Sequence, residues 1–120
     1  ISVNGKAYKL VHAAPVESYK WLRERYASER EFAVWYRLRK YEPLNLNGAT
    51  LIFGHTPTVY FQDDDILKIW HGDDRIGIDC GAGFPQLTKY GDPDIGRLAC
   101  LRLDDMKEFY SEIPEEPQKY

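Results

Sequence analysis

Thr50-Leu51-Ile52-Phe53-Gly54-His55-Thr56-Pro57 decides how this chain is read. Thr50 to Phe53 is an unbroken run of β-branched and large apolar side chains, closed by a glycine. That pattern fits a central strand buried on both faces. The histidine that follows stands at the rim of the sheet, where the strand gives out. Gly54 is expected to let the backbone turn there and to let another group approach closely. A histidine at a strand end is more often structural than chemical, so the neighbouring stretches have to decide its role.

Upstream, the same figure recurs. Asn4-Gly5 separates two short β-prone runs and signals a tight hairpin turn. The second run, Ala7 to His12, ends in Val11-His12-Ala13-Ala14-Pro15, again a histidine at a strand exit. Two central strands, each delivering one imidazole, can bring both rings to one edge of one sheet. Neutral imidazole is the commonest protein ligand for transition metals.

Between the histidines the period changes. From Glu17 to Tyr41, Tyr19, Leu22 and Tyr26, and then Phe32, Trp35 and Leu38, recur at helical spacing. Ser28 with Glu31 three residues on reads as a capping box that opens a second helix. Pro43 and Asn45-Leu46-Asn47-Gly48 close the helical region. Arg37, one turn from an aromatic pair on that helix, is either a snorkelling surface residue or a planar fork held for two phosphate oxygens. The spacing alone leaves both readings open.

Downstream the reading is β throughout. Ile66–Trp70 and Ile76–Cys80 flank a Gly72-Asp73-Asp74 turn and are expected to pair as a hairpin, and Arg97–Leu103 makes a further strand. The order β-β-α-α-β-β-β-β implies an α+β fold with a mixed or antiparallel sheet and two helices. Residues 1–111 read as one domain and 112–120, with Pro114 and Pro117 among charges, as a flexible tail.

Composition narrows the function. The 120 residues carry a net charge of −3, against the basic excess of a nucleic-acid surface. Arg and Lys between Lys20 and Lys40 are interleaved with Glu24, Glu29 and Glu31, as on a solvated helical face. No apolar run is long enough to cross a bilayer. Cys80 and Cys100 read as reduced core thiols, which points to the cytoplasm. His71, beside a turn, reads as structural. Asp63-Asp64-Asp65 lacks the glycine and terminal glutamate of a calcium loop.

Taken in order, Val11-His12-Ala13, Trp35-Tyr36-Arg37, Phe53-Gly54-His55-Thr56-Pro57, Ile78-Asp79-Cys80-Gly81-Ala82 and Gly96-Arg97-Leu98-Ala99 form a series. It resembles the C-terminal half of the calcineurin-like metallophosphoesterases, in the branch of the phosphoprotein phosphatases and diadenosine tetraphosphatases. The resemblance covers roughly Val3 to Leu103. It implies half of a four-layer α/β/β/α sandwich in a metal-dependent phosphoester hydrolase. His12 and His55 match the family's metal-ligating histidines and Arg37 its phosphate-binding arginine. Gly54, Thr56, Asp79 and Gly81 match supporting positions.

Two divalent ions (Mn, Fe or Zn) and a phosphorylated protein or nucleotide polyphosphate substrate are implied with them. Three family motifs, Gly-Asp-x-His-Gly, Gly-Asp-x-x-Asp-Arg-Gly and Gly-Asn-His-Glu, are absent from the 120 residues. The chain is therefore expected to need an N-terminal half and to be inactive by itself. The alternative is a non-catalytic, phosphatase-like module that pairs with a second copy through the uncovered face. Cys80 replaces a threonine common in relatives, and Ala-Ala-Pro follows His12 in place of Ala-Gly.

Overall fold

Asn4 and Gly5 both take left-handed backbone angles, φ 51° and 78°. They join strands β1 (Ser2–Val3) and β2 (Lys6–Leu10) as a two-residue hairpin, with Val3 opposite Lys6. This is the turn that an Asn-Gly pair favours, because its twist matches that of the flanking strands. The computed structural model describes residues 1–22, 25–63, 66–83, 86–89 and 92–112. Among the described residues the chain is α+β, with two helices, α1 (Tyr19–Leu22) and α2 (Glu29–Trp35), and mixed and antiparallel sheets. It divides into two compact units: Ile1–Thr56 with His71–Ile76, and Pro57–Trp70 with Gly77–Tyr120.

The first unit is built on β2 and β3 (Thr50–Phe53), which run parallel with Tyr8 beside Thr50 and Leu10 beside Ile52. Parallel neighbours need a crossover, and the two helices supply it. All four β3 residues are buried, as their apolar run implies. Strands β4 (Trp70–His71) and β5 (Arg75–Gly77) complete the order β1-β2-β3-β5-β4. Their outer ends, Trp70 and Gly77, are counted with the second unit. Gly72 N–H donates to the Arg75 carbonyl, closing the expected turn at Gly72-Asp73-Asp74. The paired strands are shorter than the sequence suggests, since Ile66–Ile69 and Ile78–Cys80 lie outside them.

Helix α2 opens as its sequence predicts. Ser28 Oγ accepts from Glu31 N–H at 3.1 Å, and the Glu31 carboxylate reaches back to Ala27 N–H at 3.2 Å. Its end differs from expectation. Tyr36 is already extended (φ −63°, ψ 136°), so the helix stops at Trp35 and Arg37 lies beyond it. Tyr36, Arg37, Leu38 and Arg39 then alternate buried and exposed, the period of an extended chain.

Tertiary hydrogen bonds fix that segment. Tyr36 hydroxyl donates to the Glu42 carboxylate at 2.7 Å, and Arg39 N–H donates to the same carboxylate at 2.6 Å. Buried Arg75 donates to the carbonyls of Arg39 and Glu42. Phe32 and Tyr36 fill the core, with Tyr19 and Tyr26 edge-on to Phe32. Trp35, three residues after buried Phe32 on the same helical spacing, is nonetheless 61% exposed.

In the second unit, β6 (Gln86–Lys89) pairs antiparallel with β7 (Asp92–Ile95), and β8 (Ala99–Arg102) with β9 (Lys107–Tyr110). Phe61 stacks on Trp70 with ring centres 4.7 Å apart. Arg97 donates to the Leu67 carbonyl and lies 3.7 Å over the Tyr110 ring. Cys80 is buried as expected, whereas Cys100 is exposed: it sits on the outward face of an alternating strand. Asp64, Asp65 and residues 113–120 of the expected tail lie outside the described residues. Among the described residues no helix is long and apolar enough to cross a membrane.

Candidate functional site

Because β2 and β3 are parallel neighbours, their C-terminal ends open on the same edge of the sheet. Val11 N–H donates to the Ile52 carbonyl, and Gly54 N–H donates to the His12 carbonyl at 2.9 Å, carrying the pairing to the point where both strands end. The two imidazoles emerge there with ring centres 5.2 Å apart and planes tilted by 48°. His12 is exposed and His55 partly so.

The turn after β3 is tighter than the glycine suggests. The positive angle belongs to His55, with φ 66°, not to Gly54. Thr56 N–H donates to the Gly54 carbonyl at 2.7 Å, which makes His55 the centre of a three-residue γ-turn. Gly54 is instead a place of close approach, since a Cβ there would lie 3.5 Å from the His12 carbonyl oxygen. A side-chain-bearing residue in this conformation stores about 1–3 kcal/mol, and such strain clusters at functional sites.

Helix α2 ends against both histidines. Its last carbonyls have no partners within the helix. Ala33 carbonyl accepts from Ala13 and Ala14 N–H, at 3.2 and 3.3 Å, directly after His12. Trp35 carbonyl accepts from Tyr26 hydroxyl at 3.1 Å and lies 3.1 Å from His55 Nε2. The Trp35 ring stands edge-on to His55, with centres 5.9 Å apart. These tyrosine and helix-end contacts are invisible in a one-dimensional pattern, although Tyr26 falls on the apolar stripe that places it near α2.

Of the expected site residues, the fold brings His12 and His55 together and keeps Gly54 and Thr56 beside them in the chain. Arg37 is exposed and two residues beyond the carbonyl that meets His55. Thr56 is buried, and its hydroxyl has no hydrogen-bond partner among the described residues. Asp79 and Gly81 belong to the second unit. There the Asp79 carboxylate accepts from Gly81 N–H at 3.0 Å and the Asp79 carbonyl from Thr58 N–H. Gly81 has φ 78°, where glycine carries no Cβ penalty. Burial pushes the thiol of nearby Cys80 up to about 11, so it stays protonated at neutral pH.

The donor set suits a transition metal ion in part. With metal–nitrogen bonds of about 2.0–2.1 Å and tetrahedral angles, two imidazoles on one ion have ring centres about 5 Å apart. The 5.2 Å separation matches. Among the described residues no group of three or more His, Cys, Asp or Glu side chains gathers to complete a shell. Compared with known proteins, the chain matches no protein-family model, no curated protein and no solved structure.

Proposed function

We propose that this chain carries half of the metal site of a phosphoester hydrolase of the protein phosphatase-like kind. One observation carries the reading: two imidazoles leave adjacent parallel strands at one sheet edge, 5.2 Å apart, one of them on a strained turn. The order of the motifs around them supplies the reaction class. His12 and His55 would hold divalent ions such as Mn, Fe or Zn. When bound, such ions neutralise phosphate oxygens and make hydroxide available at neutral pH.

Arg37 would grip two non-bridging phosphate oxygens with its planar fork and stabilise charge as it builds in the transition state. Its backbone is set between buried Tyr36 and Leu38, so its exposed head is carried on a fixed segment. The family it resembles carries its remaining ligands in three motifs that these 120 residues lack, and a partner half bearing them would complete the site and the sandwich. The substrate is a phosphorylated protein or a nucleotide polyphosphate in the cytoplasm.

The test has two parts. The 120-residue chain with Mn²⁺ is expected to leave p-nitrophenyl phosphate intact, and robust turnover would contradict the half-site. Extended upstream through its own reading frame, the protein is expected to hydrolyse it. His12→Ala and His55→Ala should each then remove most of the activity. Arg37→Ala should weaken phosphate handling and spare metal content. Full activity in both histidine variants overturns the proposal.

A further inference from the structure

The C-terminal end of α2 does more than cover the sheet edge: it touches the chain at both histidines. A carbonyl has no proton to give, so the 3.1 Å contact between His55 Nε2 and Trp35 O is a hydrogen bond only when Nε2 carries the proton. In a neutral imidazole so protonated, the lone pair is on Nδ1. The second lone pair of the Trp35 oxygen is taken by the Tyr26 hydroxyl. Both acceptor positions of this carbonyl are thereby filled, and Tyr26 is itself wedged edge-on against Phe32 and Tyr36. The oxygen that His55 meets is thus held from the helix side as well.

One turn earlier, the Ala33 carbonyl holds Ala13 and Ala14 N–H, fixing the loop that starts at His12. Ligating histidines commonly donate their other ring N–H to a backbone carbonyl, which sets the tautomer and the ring direction. We infer that the end of α2 is the positioning element of this site, with the Trp35 carbonyl holding His55 as the Nε2–H tautomer so that Nδ1 is the atom that meets the metal. Trp35 acts through its backbone, as a positioning residue. The inference rests on the metal-site reading above and assigns the donor atom within it.

Imidazole ¹⁵N–¹H correlation spectra of the labelled, metal-free chain, taken at alkaline pH, read the tautomer directly. His55 is expected to be protonated at Nε2, its proton signal persisting where that of exposed His12 is lost to exchange with water. Zn²⁺ alone should then shift Nδ1 of His55 and leave the Nε2 proton in place. His55→Gln places an amide donor near the Nε2 position and has no Nδ1. It should keep its unfolding midpoint within a few degrees while Zn²⁺ association falls by more than roughly tenfold.

Protonation at Nδ1, Zn²⁺ bound through Nε2, or undiminished Zn²⁺ affinity in His55→Gln overturns the inference. Zn²⁺ that moves neither imidazole sinks the half-site reading and the donor assignment together. A wrong tautomer with Zn²⁺ still bound sinks the positioning inference alone.

Discussion

Arg75 is the most consequential charged residue outside the site, and its role is mechanical. It is 2% exposed, and a buried guanidinium is tolerated only where its donors are used. Here they reach the Arg39 and Glu42 carbonyls and the Asp74 carboxylate. The Glu42 side chain, also buried, is satisfied by Tyr36 hydroxyl and Arg39 N–H. The result is a staple across the segment that carries Arg37. Arg75→Met keeps the apolar stem and deletes the donors, leaving two backbone acceptors without their partner. Each such loss costs about 1–3 kcal/mol, so urea unfolding should show a destabilisation of about 2–6 kcal/mol. A loss under about 0.5 kcal/mol, the range of ordinary surface substitutions, would refute the staple.

At the scale of single elements, local chemistry and tertiary contact divide the credit. The Asn4-Gly5 hairpin and the Ser28–Glu31 cap were legible because a few adjacent residues dictate each conformation. Ser28→Ala should cost about 1 kcal/mol by thermal unfolding, because one helix donor loses its acceptor; an unchanged midpoint would mean water caps α2 equally well. The early end of α2 was not legible. Phe32, Trp35 and Leu38 continue a helical spacing, but Glu42 and Arg75 pull the chain out straight after Trp35, and both lie well along the sequence. Strand β9 was missed because Lys-Glu-Phe-Tyr is too short to show a period, and its turn is built around Asp105, which accepts from Lys107 N–H and pairs with Arg102.

The β8–β9 hairpin also predicts a response to pH. Ile69 N–H donates to the Tyr110 hydroxyl, which in turn donates to Glu108. Burial first, and that bond to Glu108 second, push the phenol up to about 12 from 10.0. A group whose pKa is raised by folding stabilises fully below its unfolded value, and that stability is lost as pH climbs through the folded value. The second unit should therefore weaken between about pH 10 and 12. Tyr110 should ionise late, read as the tyrosinate absorbance missing from Tyr110→Phe, and that variant should flatten the stability profile in that window. A Tyr110 that titrates near 10.0 would count against the buried pairing.

For the whole molecule, the division into two units places every residue assigned to metal or phosphate in the first, since His12, Arg37 and His55 all fall within Ile1–Thr56. The sequence pattern placed both histidines at the exits of two strands, because strand, break and histidine are local signals, but it did not say that those strands run parallel. It did not find the tyrosine and helix-end carbonyls, which come from distant turns, or the γ-turn, because the glycine drew the expected bend to Gly54 when it falls on His55. If the paired imidazoles bind an ion in the folded state only, mass action links binding to stability. Zn²⁺ at 100 times its dissociation constant should add about 2.7 kcal/mol, visible as a rise in unfolding midpoint that grows with concentration. His12→Ala and His55→Ala should each abolish the rise, and His71→Ala, on β4 and outside the pair, should keep it. Removing Zn²⁺ with a chelator should restore the original midpoint, since this fold, unlike a zinc finger, has its own buried core. A rise that survives in both site variants would place the ion elsewhere on the chain and leave the two strand exits without their proposed chemistry.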